Sequence, residues 1–247
     1  MRLLNLAALC VAAAWMIAPS AARADYGEET MVRHPGFIRH LGPEEALGVI
    51  IWSPGFDSIR NGHPEPLTGA MPHFLDWLYG HGWDVYYMAR EGTTQISDRK
   101  EHAAAIRRAV RGLARAGYAK IVLGGQSAGG TYQMIAASED LGLHAIMLFA
   151  SGPTTGDDSF DDLLANSIAE RFVVTHFSED TTIGTREEAR IRGLLEAKAR
   201  PALLIHEPEG QVGHGAAFQS AFARSFGDCL LKFLDPEGKP ASLRTCQ

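Results

Sequence analysis

Ser127 stands in Gly125-Gln126-Ser127-Ala128-Gly129, with Gly124 and Gly130 on either side. A serine hydroxyl can attack a carbonyl carbon and carry an acyl group. It is too weak a nucleophile to do so alone, so it needs a base, and the base needs a carboxylate to orient it. The glycines have a mechanical reason. A sharp strand-to-helix turn holds the serine in a strained backbone region and crowds the residues two before and two after it. Side chains there would collide. The helix that follows aims its first amides at the charge that develops on the attacked oxygen. Five residues with three fixed positions recur by chance, so the strand before and the helix after make the pattern specific.

Ten histidines are available as the base. His214 lies in EGQVGHGAAF, a glycine-flanked loop between a strand pattern and the last helix pattern. His206 ends that strand pattern and is the main rival. His176 lies in or at the end of another strand pattern and reads as a packed core histidine. Glu179 and Asp180 stand just past that strand in VVTHFSEDTTIG, where a solvated loop pair is the other reading. Asp157, Asp158, Asp161 and Asp162 read as an acidic loop and a helix start.

The elements that must hold these residues alternate. ALGVIIWSPG, ended by Pro54-Gly55, WDVYYMAR, KIVLGG, HAIMLFASG, RFVVTHFSED and ALLIHE are strand patterns, most of them continuous apolar runs. Between and after them come helix patterns in PHFLDWLYGHG, in SDRKEHAAAIRRAVRGLARAG, in GTYQMIAASED, from about Arg186 to Ala199, and from about Ala216 to Phe233. In the second, Ala103, Ile106, Val110 and Leu113 recur at helical spacing and should face a sheet. Lys100, Arg107, Arg108, Arg111 and Arg115 read as its solvated face. This order predicts an α/β fold, a mostly parallel sheet with helices on both faces. Such sheets take their ligands at the C-terminal ends of the strands. The segment 25–46 should add one or two edge strands.

From about Leu47 to Phe233 the chain resembles the α/β-hydrolase superfamily, on the elbow at Ser127 and on the order nucleophile, acid, histidine, each after a strand. It is similar in general look to small lidless enzymes such as dienelactone hydrolases and related esterases. The resemblance implies Ser127 as nucleophile, Asp180 as the acid with Glu179 as its alternative, and His214 as the base. It implies an oxyanion hole made by the amides of Ala128 and Phe56, the latter after Pro54-Gly55 where superfamily members often carry His-Gly. The stretch 151–171 has room for a loop and a short helix, so no cap domain is expected. The expected substrate is a small carboxylic ester, with an amide or peptide as the alternative and a binding protein without catalysis as the third reading. No cofactor is called for, and no His/Asp/Glu cluster has metal-ligand spacing.

The first 24 residues have another character. An early Arg2, an apolar run from Leu3 to Ala18 and the ending Ala22-Arg23-Ala24 predict a cleaved export signal, with a mature domain from Asp25 to Gln247 in the periplasm or outside the cell. The run is short of the roughly 20 residues of a spanning helix, so no stable membrane insertion is expected. Cleavage would remove Arg2 and Arg23 and take the formal charge from -6 to -8. That balance argues against nucleic acid as a partner. It would also leave two cysteines, Cys229 and Cys246, an even pair that predicts a disulfide stapling the tail.

Overall fold

A computed structural model of the chain describes residues 36–55, 72–88, 99–152, 160–177, 180, 185–206, 213–235, 237 and 244–246. The expected signal segment, Phe56 and Glu179 lie outside them. Eight strands, β1 (Phe37–Arg39), β2 (Gly48–Ser53), β3 (Trp83–Tyr87), β4 (Ile121–Gln126), β5 (Ala145–Phe149), β6 (Arg171–His176), β7 (Ala202–His206) and β8 (Arg244–Cys246), make one sheet in the order β1-β3-β2-β4-β5-β6-β7-β8. Every neighbouring pair is parallel except β1 with β3. The helices are α1 (His73–Tyr79), α2 (Arg99–Ala116), α3 (Ala128–Ala136), α4 (Phe160–Asn166), α5 (Thr185–Ala197) and α6 (Ser220–Leu234).

Successive strand residues point to opposite faces. Val49, Ile51, Leu123, Ile146 and Leu148 therefore pack on one face, against Ile106 and Val110 of α2, Met134 of α3, Leu164 of α4 and Ile191 of α5. Ile50, Trp52, Val122, Met147 and Phe149 pack on the other, against Phe74 and Leu78 of α1 and Phe222, Phe226 and Leu230 of α6. Cover on both faces is why these segments read as unbroken apolar runs. Each large side chain so buried contributes on the order of 2 kcal/mol.

The chain leaves β2 for β3 on one side and then returns past β2 to β4 on the other. The strand order reverses there, and at such a reversal open α/β sheets form their ligand crevice, beyond the C-terminal ends of the strands. Ser127 follows β4 directly, so the topology puts it at that crevice.

Buried charge collects at the opposite end of the sheet. Asp84 accepts from the amides of Leu41 and Gly42, at 2.5 and 3.0 Å, and from the Tyr118 hydroxyl at 2.5 Å. Arg171, at the start of β6, donates to the carbonyls of Phe233 and Asp235 at the end of α6. His144 Nε2 donates to Leu234 O at 2.9 Å, and burial holds this imidazole below its ordinary pKa. These groups satisfy helix and turn ends, and their distance from the Ser127 end makes them part of the scaffold.

Two readings change. Arg107 is no solvated side chain: it donates to the carbonyls of Ile135 and Ala136, at 2.7 and 3.1 Å, and pairs with Glu139. It thus closes the C-terminal end of α3, the helix that begins beside Ser127. The tail is also more than stapled. Arg244–Cys246 form β8, parallel to β7, with Cys246 opposite Ile205.

Cys229 of α6 and Cys246 of β8 are joined by a disulfide, as the even cysteine count predicts. Their sequence separation is 17, and a loop of that length stabilises by about 3 kcal/mol in the chain-entropy account. The bridge pins a three-residue edge strand that could not hold itself, and it lies away from Ser127. Reduction should lower Tm by several degrees, about 10 °C at most, and leave room-temperature activity intact. Alkylation followed by intact-mass measurement checks the premise: two alkylated cysteines before reduction would rule out the bridge.

Candidate active site

β4 ends at Gln126, α3 begins at Ala128, and Ser127 alone makes the turn, with φ 54° and ψ −127°. A non-glycine residue at positive φ is strained and stays so only where its surroundings hold it. Here the Ser127 amide donates to Phe149 O at 2.9 Å, extending the ladder with β5 by one residue. The glycines make the turn sterically feasible. A Cβ on Gly125 would lie 2.5 Å from Gly129 C and Gly130 N. One on Gly129 would drive into the carbonyl oxygens of Ser53 and Pro54, and one on Gly130 into the Ser151 side chain. The crowding expected between the residues two before and two after Ser127 is therefore present, and the end of β2 presses on the elbow as well. Ser127 is half-buried. Ala128 opens α3, so its amide has no intrahelical acceptor, although the residue itself is buried.

Asp180 follows β6 by a turn in which its amide donates to Phe177 O at 3.3 Å. Its carboxylate is fully buried, and His214 Nδ1 lies 2.9 Å from Asp180 Oδ2. With Nδ1–H donating to the carboxylate, Nε2 is left as the acceptor. His214 sits in a turn after Gly213, which has φ 88°, and ahead of a short 3-10 helix, Ala216–Phe218. The chain thus brings Asp180 and His214 together from two loops 34 residues apart. Among the described residues no hydrogen bond joins His214 to the Ser127 hydroxyl. Such contacts are often long in unliganded sites and tighten around substrate.

Of the rival histidines, His176 is buried at the end of β6, opposite His206 in the register of β6 and β7, while the Asp180 carboxylate lies against His214. Phe56 and Glu179 lie outside the described residues. One participant was not legible in advance. Gln126 Nε2 donates to the main-chain carbonyl of His214 at 3.0 Å. Its place as the second residue of the motif was the only signal for it.

Between β5 and β6 stand only residues 150–170, with the seven-residue α4 among them, so no cap domain is inserted there. Among the described residues no group of three His, Cys, Asp or Glu side chains could hold a metal ion, and no helix is long and apolar enough to cross a membrane.

No family profile matches this chain, and no curated protein matches it either. Solved structures do. A candidate dienelactone hydrolase from Klebsiella pneumoniae aligns with a TM-score of 0.59 and 15% identity, over 80% of this chain and 90% of its own. An esterase from Pyrococcus furiosus gives 0.60 and 12%, over 76% of this chain and 82% of its own. A puromycin-hydrolyzing peptidase from Mycobacterium tuberculosis gives 0.57 and 14%, over 81% of this chain and 37% of its own. At such identities the likeness is one of fold, and this chain has the α/β-hydrolase fold.

Proposed function

We propose that this chain is a serine hydrolase that cleaves small carboxylic esters through an acyl-enzyme on Ser127. The observation that carries the reading is the fully buried Asp180 carboxylate 2.9 Å from the Nδ1 of a half-buried His214, on the fold whose switch-point crevice holds Ser127 at positive φ. Ala150 and Ala199 also hold positive φ, so the strain alone does not carry the reading; a serine in that strand-to-helix turn has its hydroxyl raised above the sheet, as acyl transfer needs.

Ser127 Oγ attacks the ester carbonyl while His214 Nε2 takes its proton. Asp180 holds the ring in the tautomer with Nδ1–H and stabilises the imidazolium. The amides of Ala128 and Phe56 donate hydrogen bonds to the oxyanion. Collapse expels the alcohol, which takes the proton from His214 Nε2. Water then attacks the acyl-enzyme, giving its proton to the same nitrogen, and the acid leaves as Ser127 recovers its hydrogen. Every step moves protons and acyl groups only, so the residues need no cofactor.

The same steps would cleave an amide, since the leaving group is not chosen by Ser127, Asp180 or His214. Ester comes first because residues 150–170 are too few for a cap domain between β5 and β6, and an esterase is among the solved structures of this fold. A panel of short acyl esters and aminoacyl amides tests this. Turnover should be higher on the esters by about two orders of magnitude or more, as kcat/KM. Faster amide turnover would make the chain a peptidase or amidase, and no turnover on either series would favour the binding reading. We also propose export to an oxidising compartment, on the signal-like residues 1–24 and the Cys229–Cys246 bridge.

A further inference from the structure

We infer that Gln126 is a positioning residue for acyl transfer, a role that rests on the hydrolase reading above. Gln126 closes β4 and is 6% exposed. Its Nε2 donates to His214 O at 3.0 Å, across 88 positions of sequence. Its Oε1 occupies the space beside Gly55, where a methyl group on that glycine would run into it. One amide therefore touches the end of β2, the elbow and the histidine turn.

Among the described residues a Cβ on Gly213 or Gly215 would meet nothing within 4 Å, while Ala216 and Ala217, which follow the turn, are buried in the core. Among the described residues, two hydrogen bonds tie His214 to elements outside its own turn: the ring to Asp180 and the carbonyl to Gln126. The two do different work. Asp180 sets the rotation of the imidazole about the bond it accepts. Gln126 sets how far the backbone of His214 stands from Ser127, because Gln126 and Ser127 are consecutive and the strand fixes both. With the first bond alone the ring could swing about Asp180 and carry Nε2 away from Oγ. A misplacement of about 1 Å in such an approach lowers the rate on the order of 100-fold.

The choice of glutamine follows from the geometry. The acceptor is a main-chain carbonyl, so the side chain must bring an N–H. The site is beside a histidine that becomes positive during reaction, so a neutral donor avoids the repulsion a lysine or arginine would add. Glutamate at the same position would set an acceptor against an acceptor.

The test compares the parent chain with Gln126→Met, which keeps the length and loses the donor, and Gln126→Glu, which keeps the shape and reverses the polarity. The probe is a fluorophosphonate, read as the second-order rate of Ser127 labelling, with kcat and KM on the best ester beside it. Both variants should label and turn over about 10- to 100-fold more slowly, with KM within about threefold, because the loss falls on the approach of Nε2 and not on substrate binding. The pH profile of Gln126→Met should keep its shape at a lower height. A residue that merely packs would lower Tm and leave the folded fraction fully reactive. Labelling and kcat within about twofold of the parent in either folded variant would overturn the role. Should Gln126→Met fold poorly, Gln126→Glu decides. If the parent itself does not label at Ser127, it is the hydrolase reading that fails.

Discussion

Ser127→Ala should lower kcat by about 10³- to 10⁶-fold while leaving the fold in place. The size follows from the unit to which Ser127 belongs. Without Oγ no acyl-enzyme forms, and His214 and Asp180 have nothing to activate except water. What survives is the contribution of substrate binding and the oxyanion amides, about 10³- to 10⁴-fold over the uncatalysed reaction in serine hydrolases of this logic. The backbone gives no reason for the variant to unfold. Ala150 already holds φ 44° one strand away, and an alanine at 127 meets the same strain as serine at φ 54°. The hydroxyl makes no hydrogen bond to a described residue that its loss would leave unsatisfied. Tm should therefore stay within about 2 °C of the parent. Steady-state turnover on the best ester, with circular dichroism as the control, checks both halves.

Asp180→Asn should be nearly as damaging, about 10⁴-fold in kcat. The carboxylate is fully buried and accepts from His214 Nδ1 at 2.9 Å. An amide of the same shape can donate where the ring also donates. It then favours the tautomer with the proton on Nε2, the nitrogen that must accept from Ser127, and it no longer stabilises the imidazolium. KM should change little, since Asp180 lies behind the ring and not in the crevice. Glu179→Gln is the control, and its effect should be within about threefold. If Glu179→Gln proved the worse of the two in measured kcat, the orienting role would pass to Glu179.

The residues that were legible in the sequence are those whose surroundings force a pattern. β2, β4, β5 and β6 are buried on both faces, so their apolar runs are uninterrupted and fall where the strands lie. Gly125 and Gly129 are legible because no Cβ fits at either position. Asp180 and His214 could be placed by the strands they follow. That says which loop carries each, while their meeting depends on two chain returns that no local pattern encodes. β8 was not legible because three residues carry no period, and the bridge from Cys246 to α6 does what an apolar alternation would do in a longer strand. Arg107 looked like any charge on an exposed helix face, and its targets are carbonyls 28 and 29 positions away. Gln126 is the same kind of case: a polar residue at the end of a buried strand, whose partner on the histidine turn comes from the tertiary fold.

The central claim is that Ser127 is the atom donor for the acyl bond, and the most direct measurement is to trap it there. The chain is treated with a fluorophosphonate, digested with trypsin and sequenced by tandem mass spectrometry. The peptide that begins at Ile121 also contains Ser138, Ser151, Ser159 and Ser167, so fragmentation must place the adduct within it. The account predicts one phosphonyl group, on Ser127, formed in step with the loss of esterase activity and absent from Ser127→Ala. An adduct on any other residue, or full inactivation with Ser127 unmodified, would contradict it.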